Sequence, residues 1–147
     1  MRPWEYYNSN KNDFGLQYQV VVSLGMPFRI LHFDGPYKGA AADVSILRTT
    51  ILKSLKQNEK VMTDKAYRFE KKCWTPPPGK YGSLSEIQKR DRREVTRIRQ
   101  LNERVIGRLT QWGCFKRRWR GCFKFQERSC HAAAKLTQLH LICYPLN

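Results

Sequence analysis

LQYQVVVSLGMPFRILHF, residues 16–33, is the stretch that decides the class of fold. Leu16 to Leu24 is rich in valine, and branching at Cβ favours the extended chain. Gly25-Met26-Pro27 interrupts it with a turn signal. Phe28 to Phe33 then returns, so the stretch predicts an antiparallel hairpin. Asp34 to Gly39 (DGPYKG) reads as the loop that leaves it. Residues 1–14, aromatic and polar, read as an extended entry and turn.

Beyond the hairpin the period changes. From Ala40 to Gln57, apolar residues fall at Val44, Ile46, Leu47, Ile51, Leu52 and Leu55, the spacing of an amphipathic helix. Asp43 lies in its first turn, where the helix dipole favours negative charge. Lys60 to Thr63 predicts a short buried strand that ends on Asp64. Cys73 to Gly79 (CWTPPPG) cannot be helical and is expected as a loop or an extended edge segment. Ser83 or Ser85 is the expected cap of a long basic helix over 85–112. Its apolar stripe runs Val95, Ile98, Leu101, Val105, Leu109, Trp112. Trp112-Gly113-Cys114 closes it, and Phe115 to Arg120 (FKRRWR) follows as a basic, aromatic loop. A last helix is expected from Glu127 to Cys143, with Ala133, Leu136, Leu139 and Ile142 on one side. A hairpin followed by helix-flanked strands predicts a mixed α/β sheet in one domain.

Charge narrows the function. The chain of 147 residues carries 28 Lys+Arg against 12 Asp+Glu, a formal +16 at pH 7. Such a surface repels itself and calls for a polyanionic partner, nucleic acid before an anionic membrane surface. Basic residues concentrate between Glu86 and Arg128. Lys89, Arg90, Arg92, Arg93, Arg117, Arg118 and Arg120 are the candidate DNA-binding residues. Phe115, Trp119 and Phe123 interleave with them, either to stack on unpaired bases or to pack into the core. No stretch approaches the roughly 20 apolar residues of a membrane span. No apolar run follows Arg2 as in a signal peptide, so an intracellular location is expected. Five widely spaced cysteines without a CxxC are expected to be free thiols. Cys114, Cys122, Cys130 and His131 are soft ligands in one region, but their spacing fits no common zinc pattern. No Ser–His or Cys–His nucleophile pair can be argued from spacing.

Against this basic background two acids stand out, Asp64 after an apolar strand and Glu103 inside the Arg-rich helix. Glu103 has a bland reading as a surface ion pair with Arg99 or Arg108. Asp43 has one as a helix N-terminal charge, and Asp64 as a turn residue. The alternative is metal chemistry, because a hard cation can bridge a carboxylate to a phosphate.

A motif series favours the second reading. Tyr6-Tyr7-Asn8-Ser9-Asn10-Lys11 and the strand Gln19-Val20-Val21-Val22 come first. Gly39 to Leu47 (GAAADVSIL) follows, then Thr63-Asp64-Lys65-Ala66-Tyr67, Thr75-Pro76-Pro77, Asn102 to Leu109 (NERVIGRL) and Leu136-Thr137-Gln138-Leu139-His140. In register, these resemble the DDE-superfamily endonucleases, in particular the Harbinger-like transposase nuclease domain. Ala42 stands where that family usually has His, and Ala66 where it has Gly. The resemblance implies an RNase H-like fold, a five-stranded mixed sheet flanked by helices. It implies carboxylates that hold Mg²⁺ or Mn²⁺, with Asp64 as the second catalytic acid, Glu103 as the third and Asp43 as an additional metal ligand. It further implies DNA as substrate, a nuclear location and a separate DNA-binding protein as partner.

One departure tempers these expectations. The family's first catalytic Asp precedes the tyrosine pair, and here only Met1-Arg2-Pro3-Trp4-Glu5 does so. Residues 1–147 are therefore expected to be a partial, N-terminally truncated domain, matching best over about 6–143. It would lack the first strand, expose sheet edges and cleave weakly or not at all. The competing reading is a non-enzymatic, basic nucleic-acid-binding protein.

Overall fold

The computed structural model describes residues 3–9, 12–116 and 119–146. In chain order a 3-10 turn, Pro3–Tyr6, leads into β1 (Tyr7–Asn8), β2 (Asp13–Phe14), β3 (Leu16–Val22) and β4 (Ile30–Lys38). Then come α1 (Asp43–Thr49), α2 (Ile51–Ser54), β5 (Val61–Met62), a 3-10 turn Lys65–Tyr67 and β6 (Cys73–Trp74). A further 3-10 turn, Tyr81–Ser83, precedes α3 (Glu86–Leu109), α4 (Gly113–Lys116) and α5 (Phe123–Cys143). The chain divides into two compact units. One holds residues 1–41 and 101–147, the other 42–100.

The first unit is built on the hairpin. β3 and β4 pair antiparallel, with Val20 opposite Phe33 and Val21 opposite His32. β4 does not stop at Phe33 as the sequence suggested. It runs through Asp34 to Lys38, pairing Tyr37 with Gln17 and Lys38 with Leu16. The ladder slips between Gln17 and Gln19, and Gly35 absorbs the slip with φ of +133°. A Cβ there would lie 2.8 Å from the Gln17 carbonyl oxygen and 2.8 Å from the Tyr18 ring. Gly-Pro was read as a stop. In a two-stranded ladder it is a bulge after which pairing resumes.

The entry segment also forms more structure than expected, an antiparallel pair of β1 and β2. The Trp4, Tyr7 and Phe14 rings gather over it. Tyr6 accepts at its carbonyl from Gly15 N–H (2.8 Å), and Glu5 accepts from Ala40 N–H (3.1 Å). Gly39 sits in this crossing. A Cβ on it would collide with the Tyr6 carbonyl oxygen and lie 2.6 Å from that of Gly15.

The core of this unit is Phe28, Val105, Leu109, Ala134, Leu141 and Leu146. Val20, Val22, Ile30, Phe33, Leu101 and Phe115 pack against it, partly buried. Phe115 meets Tyr18 and Phe33 edge-on, so it is a core side chain in α4 rather than a base-stacking one in a loop. α5 begins at Phe123, ahead of the expected Glu127, and it buries a different face. Cys130, Ala133, Ala134, Thr137 and Leu141 point inward, while Leu136, Leu139 and Ile142 are exposed. The helix is apolar on more than one side, so its period alone could not select the face. Thr137, the buried polar residue of that face, donates to the Ala133 carbonyl (2.8 Å) and accepts from Trp112 Nε1 (2.9 Å). Both functions of its hydroxyl are thereby satisfied.

The second unit carries the shorter elements. The expected helix from Ala40 to Gln57 is broken into α1 and α2 at Thr50. The hydroxyls of Thr49 and Thr50 turn back onto the Ile46 carbonyl at 3.0 and 2.7 Å, a competition that weakens helix continuity. Ile46, Leu47 and Ile51 still bury the predicted face. Lys72 Nζ donates to the carbonyls of Leu55 (2.7 Å) and Leu52 (3.5 Å), which α2 leaves without helical partners. β5 pairs in parallel with β6 and is half-buried, not buried as expected. Ser85 and Gln88 form a reciprocal capping box at the start of α3: Gln88 N–H to Ser85 Oγ, 3.3 Å, and Ser85 N–H to Gln88 Oε1, 3.0 Å. Val95 is fully buried on the predicted stripe.

The strands among the described residues form three two-stranded ladders, two antiparallel and one parallel, rather than one five-stranded mixed sheet. Four of the six strands have two residues each, too few donors to join a wider sheet. Among the described residues no helix is long and apolar enough to cross a membrane.

Leu141→Ala, emptying a fully buried site, is expected to cost about 3 kcal/mol. Leu139→Ala, on the exposed side of the same helix, should cost less than about 1 kcal/mol. Urea midpoints of the two variants check the assignment of the face, and equal losses would contradict it. Gly39→Ala should destabilise despite its small size, since the added methyl meets backbone on two sides.

Candidate functional site

The second unit delivers Asp64 to a fixed place. Thr63 N–H donates to the Trp74 carbonyl (2.9 Å), which extends the β5–β6 pairing to the residue before it. The chain then turns. Asp64 caps the turn Lys65–Tyr67, its Oδ1 accepting the Lys65 N–H at 2.6 Å. A second donor reaches the same atom, Arg99 Nη1 from α3 at 3.3 Å. Both bonds land on Oδ1, and among the described residues none lands on Oδ2. The ion pair is open to solvent, with 45% of the Arg99 side chain and 46% of the Asp64 side chain exposed.

Asp43 opens α1 and is exposed, its neighbour Ala42 offering no side-chain cap. Asp43 and Asp64 act on one common group, the half-buried Tyr67. Burial first, then the charge of Asp43, then Cys73 and, least, Asp64 push the Tyr67 phenol up to about 12. Both candidate acids of this unit, Asp43 and Asp64, therefore lie within electrostatic reach of one phenol. Glu103, the third expected acid, is exposed on α3 and belongs to the other unit.

In kind, these donors suit a hard divalent cation, which prefers carboxylate oxygen. Asp64 suits it in orientation as well, with one oxygen anchored and the other bare. In number, no three His, Cys, Asp or Glu side chains gather among the described residues. Cys114, Cys122, Cys130 and His131 form no such group either among the described residues. Cys130 is fully buried, and burial pushes its thiol up to about 11, away from the thiolate that zinc requires. All five cysteines are free.

The basic residues sort into two kinds. Lys89 is half-buried and pairs with Glu86 (2.7 Å), and Arg92 donates to the Gly79 carbonyl (3.1 Å), so both serve the start of α3. Arg90 and Arg93 are exposed at helical spacing, with Arg97 one turn on. Arg120 is exposed, and Arg117 and Arg118 lie outside the described residues. Trp119 donates its indole N–H to the Cys122 carbonyl (3.1 Å), and Phe123 stacks on Tyr6. Sequence reasoning missed Tyr67 as the residue shared by two acids, although it stood inside the quoted motif. It did not foresee that Arg99 reaches Asp64.

A family model described as DDE superfamily endonuclease matches residues 3–143. No curated protein and no solved structure matches the chain.

A spectrophotometric titration checks the arrangement around Tyr67. The difference between the parent protein and Tyr67→Phe should show one phenol ionising near 12, against an ordinary 10.0. Asp43→Asn should lower that midpoint yet leave it above 10, because burial is the larger cause. With the folded value raised, the phenol's contribution to stability is complete below pH 10 and is lost as pH rises toward 12.

Proposed function

The chain belongs to the DDE superfamily endonucleases, and we propose that it is a transposase-derived, Harbinger-like nuclease domain acting on DNA phosphodiester bonds. The observation that carries this reading is the family match across residues 3–143, which spans Asp43, Asp64 and Glu103. In this reading the short ladders and helices belong to an RNase H-like arrangement. Asp64 and Glu103 are the catalytic acids, and Asp43 adds a metal ligand. Bound Mg²⁺ or Mn²⁺ would supply Lewis acidity at a phosphoryl oxygen and a more acidic water. The chain's own residues supply the rest. Asp64 follows directly on the β5–β6 pairing and, among the described residues, accepts its hydrogen bonds on Oδ1 and none on Oδ2. Arg90, Arg93 and Arg120 attract the phosphate backbone, at an affinity that falls as salt rises. Such contacts position the duplex without reading bases, so target choice falls to a separate DNA-binding protein. In this reading the protein works in the nucleus, as the resemblance to a transposase nuclease implies.

A second reading has its own support. No three ligating side chains gather among the described residues, and the Asp64 carboxylate is already paired with a guanidinium. Both features suit a DNA-binding domain that does not cleave.

Nicking of supercoiled plasmid separates the two. The nuclease reading expects slow nicking that requires Mn²⁺ or Mg²⁺ and disappears in both Asp64→Asn and Glu103→Gln. Intact DNA binding with no metal-dependent nicking would establish the second reading instead. In either case, Arg90→Glu with Arg93→Glu should weaken duplex binding by tenfold or more and reduce the log–log salt slope by roughly 2.

A further inference from the structure

Two thiols meet where α4 packs on α5. The Cys130 Sγ lies 3.9 Å from the Cys114 carbonyl oxygen, and the two thiols are in hydrogen-bond contact with each other. Their situations differ. Cys114 is partly exposed, whereas Cys130 is closed off completely. The Tyr18 hydroxyl, buried without an ordinary hydrogen-bond partner, lies beside the Cys130 sulfur. A disulfide brings its sulfurs to about 2 Å. Thiols already in contact need only a small further approach, and α4, a helix of four residues, is a small element to move. We propose that Cys114 and Cys130 are an oxidisable pair, in which a peroxide modifies Cys114 and Cys130 then closes a disulfide around the basic segment 115–129.

The chemistry assigns each sulfur its step. The Cys114 thiolate attacks one peroxide oxygen, the O–O bond breaks, and the other oxygen leaves and takes up a proton as water. Cys114 is then a sulfenic acid. The Cys130 sulfur attacks the Cys114 sulfur, the S–O bond breaks, and the thiol proton leaves with the hydroxyl as a second water. Two thiols are oxidised by two electrons in all, and one peroxide is reduced. The order follows from access. Cys130 is enclosed, and burial pushes its thiol up to about 11, so it meets a peroxide poorly at neutral pH. Its contact with Cys114 needs no access from solvent. In a reducing compartment such a bond is transient and suits sensing. The segment it would close carries Lys116, Arg117, Arg118, Arg120, Lys124 and Arg128 against Glu127 alone. Oxidation would thereby restrict the part of the first unit densest in positive charge. Neither metal nor cleavage takes part, so the pair stands or falls apart from the nuclease reading.

Hydrogen peroxide added to the full, reduced chain tests this. Of the five free thiols, two should be lost to alkylation under denaturing conditions, and peptide mapping should find Cys114 linked to Cys130 within one chain. The linked form should melt roughly 5 °C or more above the reduced form, because the bond restricts the unfolded chain, and a reductant should restore the first midpoint. Cys130→Ser should leave Cys114 as a sulfenic acid that dimedone traps. Cys114→Ser, at a partly exposed position that does not disturb the core, should form no disulfide within the chain. Cys122→Ser/Cys143→Ser should close the bond at the parent rate. A link through Cys122 or Cys143 in place of the pair, an oxidised Cys114 with Cys130 still a thiol, or a linked form that melts no higher than the reduced one would each overturn the assignment.

Discussion

Burial of a narrow apolar stripe on α3 is the constraint from which the rest of the structure follows. The helix Glu86–Leu109 is charged on most of its surface, and arginines alone supply Arg90, Arg92, Arg93, Arg97, Arg99, Arg104 and Arg108. Repulsion among them opposes a compact state. Val95 is buried in one unit, and Val105 and Leu109 are buried in the other. One helix thus supplies apolar anchors to both units, and it carries the cationic surface and Glu103 as well. Its start is specified locally by the Ser85–Gln88 capping box, so helix formation does not wait for tertiary packing.

What was legible in the sequence were features set by neighbours along the chain. The hairpin, the cap at Ser85, the stripe on α3 and the strand-end position of Asp64 all depend on local pattern. What was not legible depended on competition between local signals and distant partners. Gly35-Pro36 reads as a loop until Leu16 and Gln17 are there to pair with Lys38 and Tyr37. Thr49-Thr50 reads as tolerable in a helix until its hydroxyls bind the Ile46 carbonyl. α5 offers apolar residues on several sides, and only the hairpin and α3 decide that the small side chains face inward. The partner of Arg99 follows the same rule. Helical spacing offers Arg99 only neighbours on α3, whereas the fold also brings it Asp64 from 35 residues away in the chain.

The acids are therefore unequal in what surrounds them. Asp64 is organised, with its direction set by a strand, a turn and a guanidinium. Asp43 is exposed at the mouth of a short helix and makes itself felt mainly through the Tyr67 phenol. Of these two acids, Asp64 is the one that accepts hydrogen bonds from two elements among the described residues. That asymmetry separates a carboxylate with a defined orientation from one that is merely near.

The burial of Cys130 has a consequence for watching this molecule move. Cys122 and Cys143 are exposed and Cys73 and Cys114 partly so, while Cys130 is closed off completely beneath Tyr18 and the carbonyl of Cys114. A thiol-alkylating reagent would reach the outer sulfurs at once and Cys130 only when the contact between α4 and α5 opens. The five cysteines thus form a graded set of labels, and the slowest keeps time for the opening of the core around β3, β4 and α5.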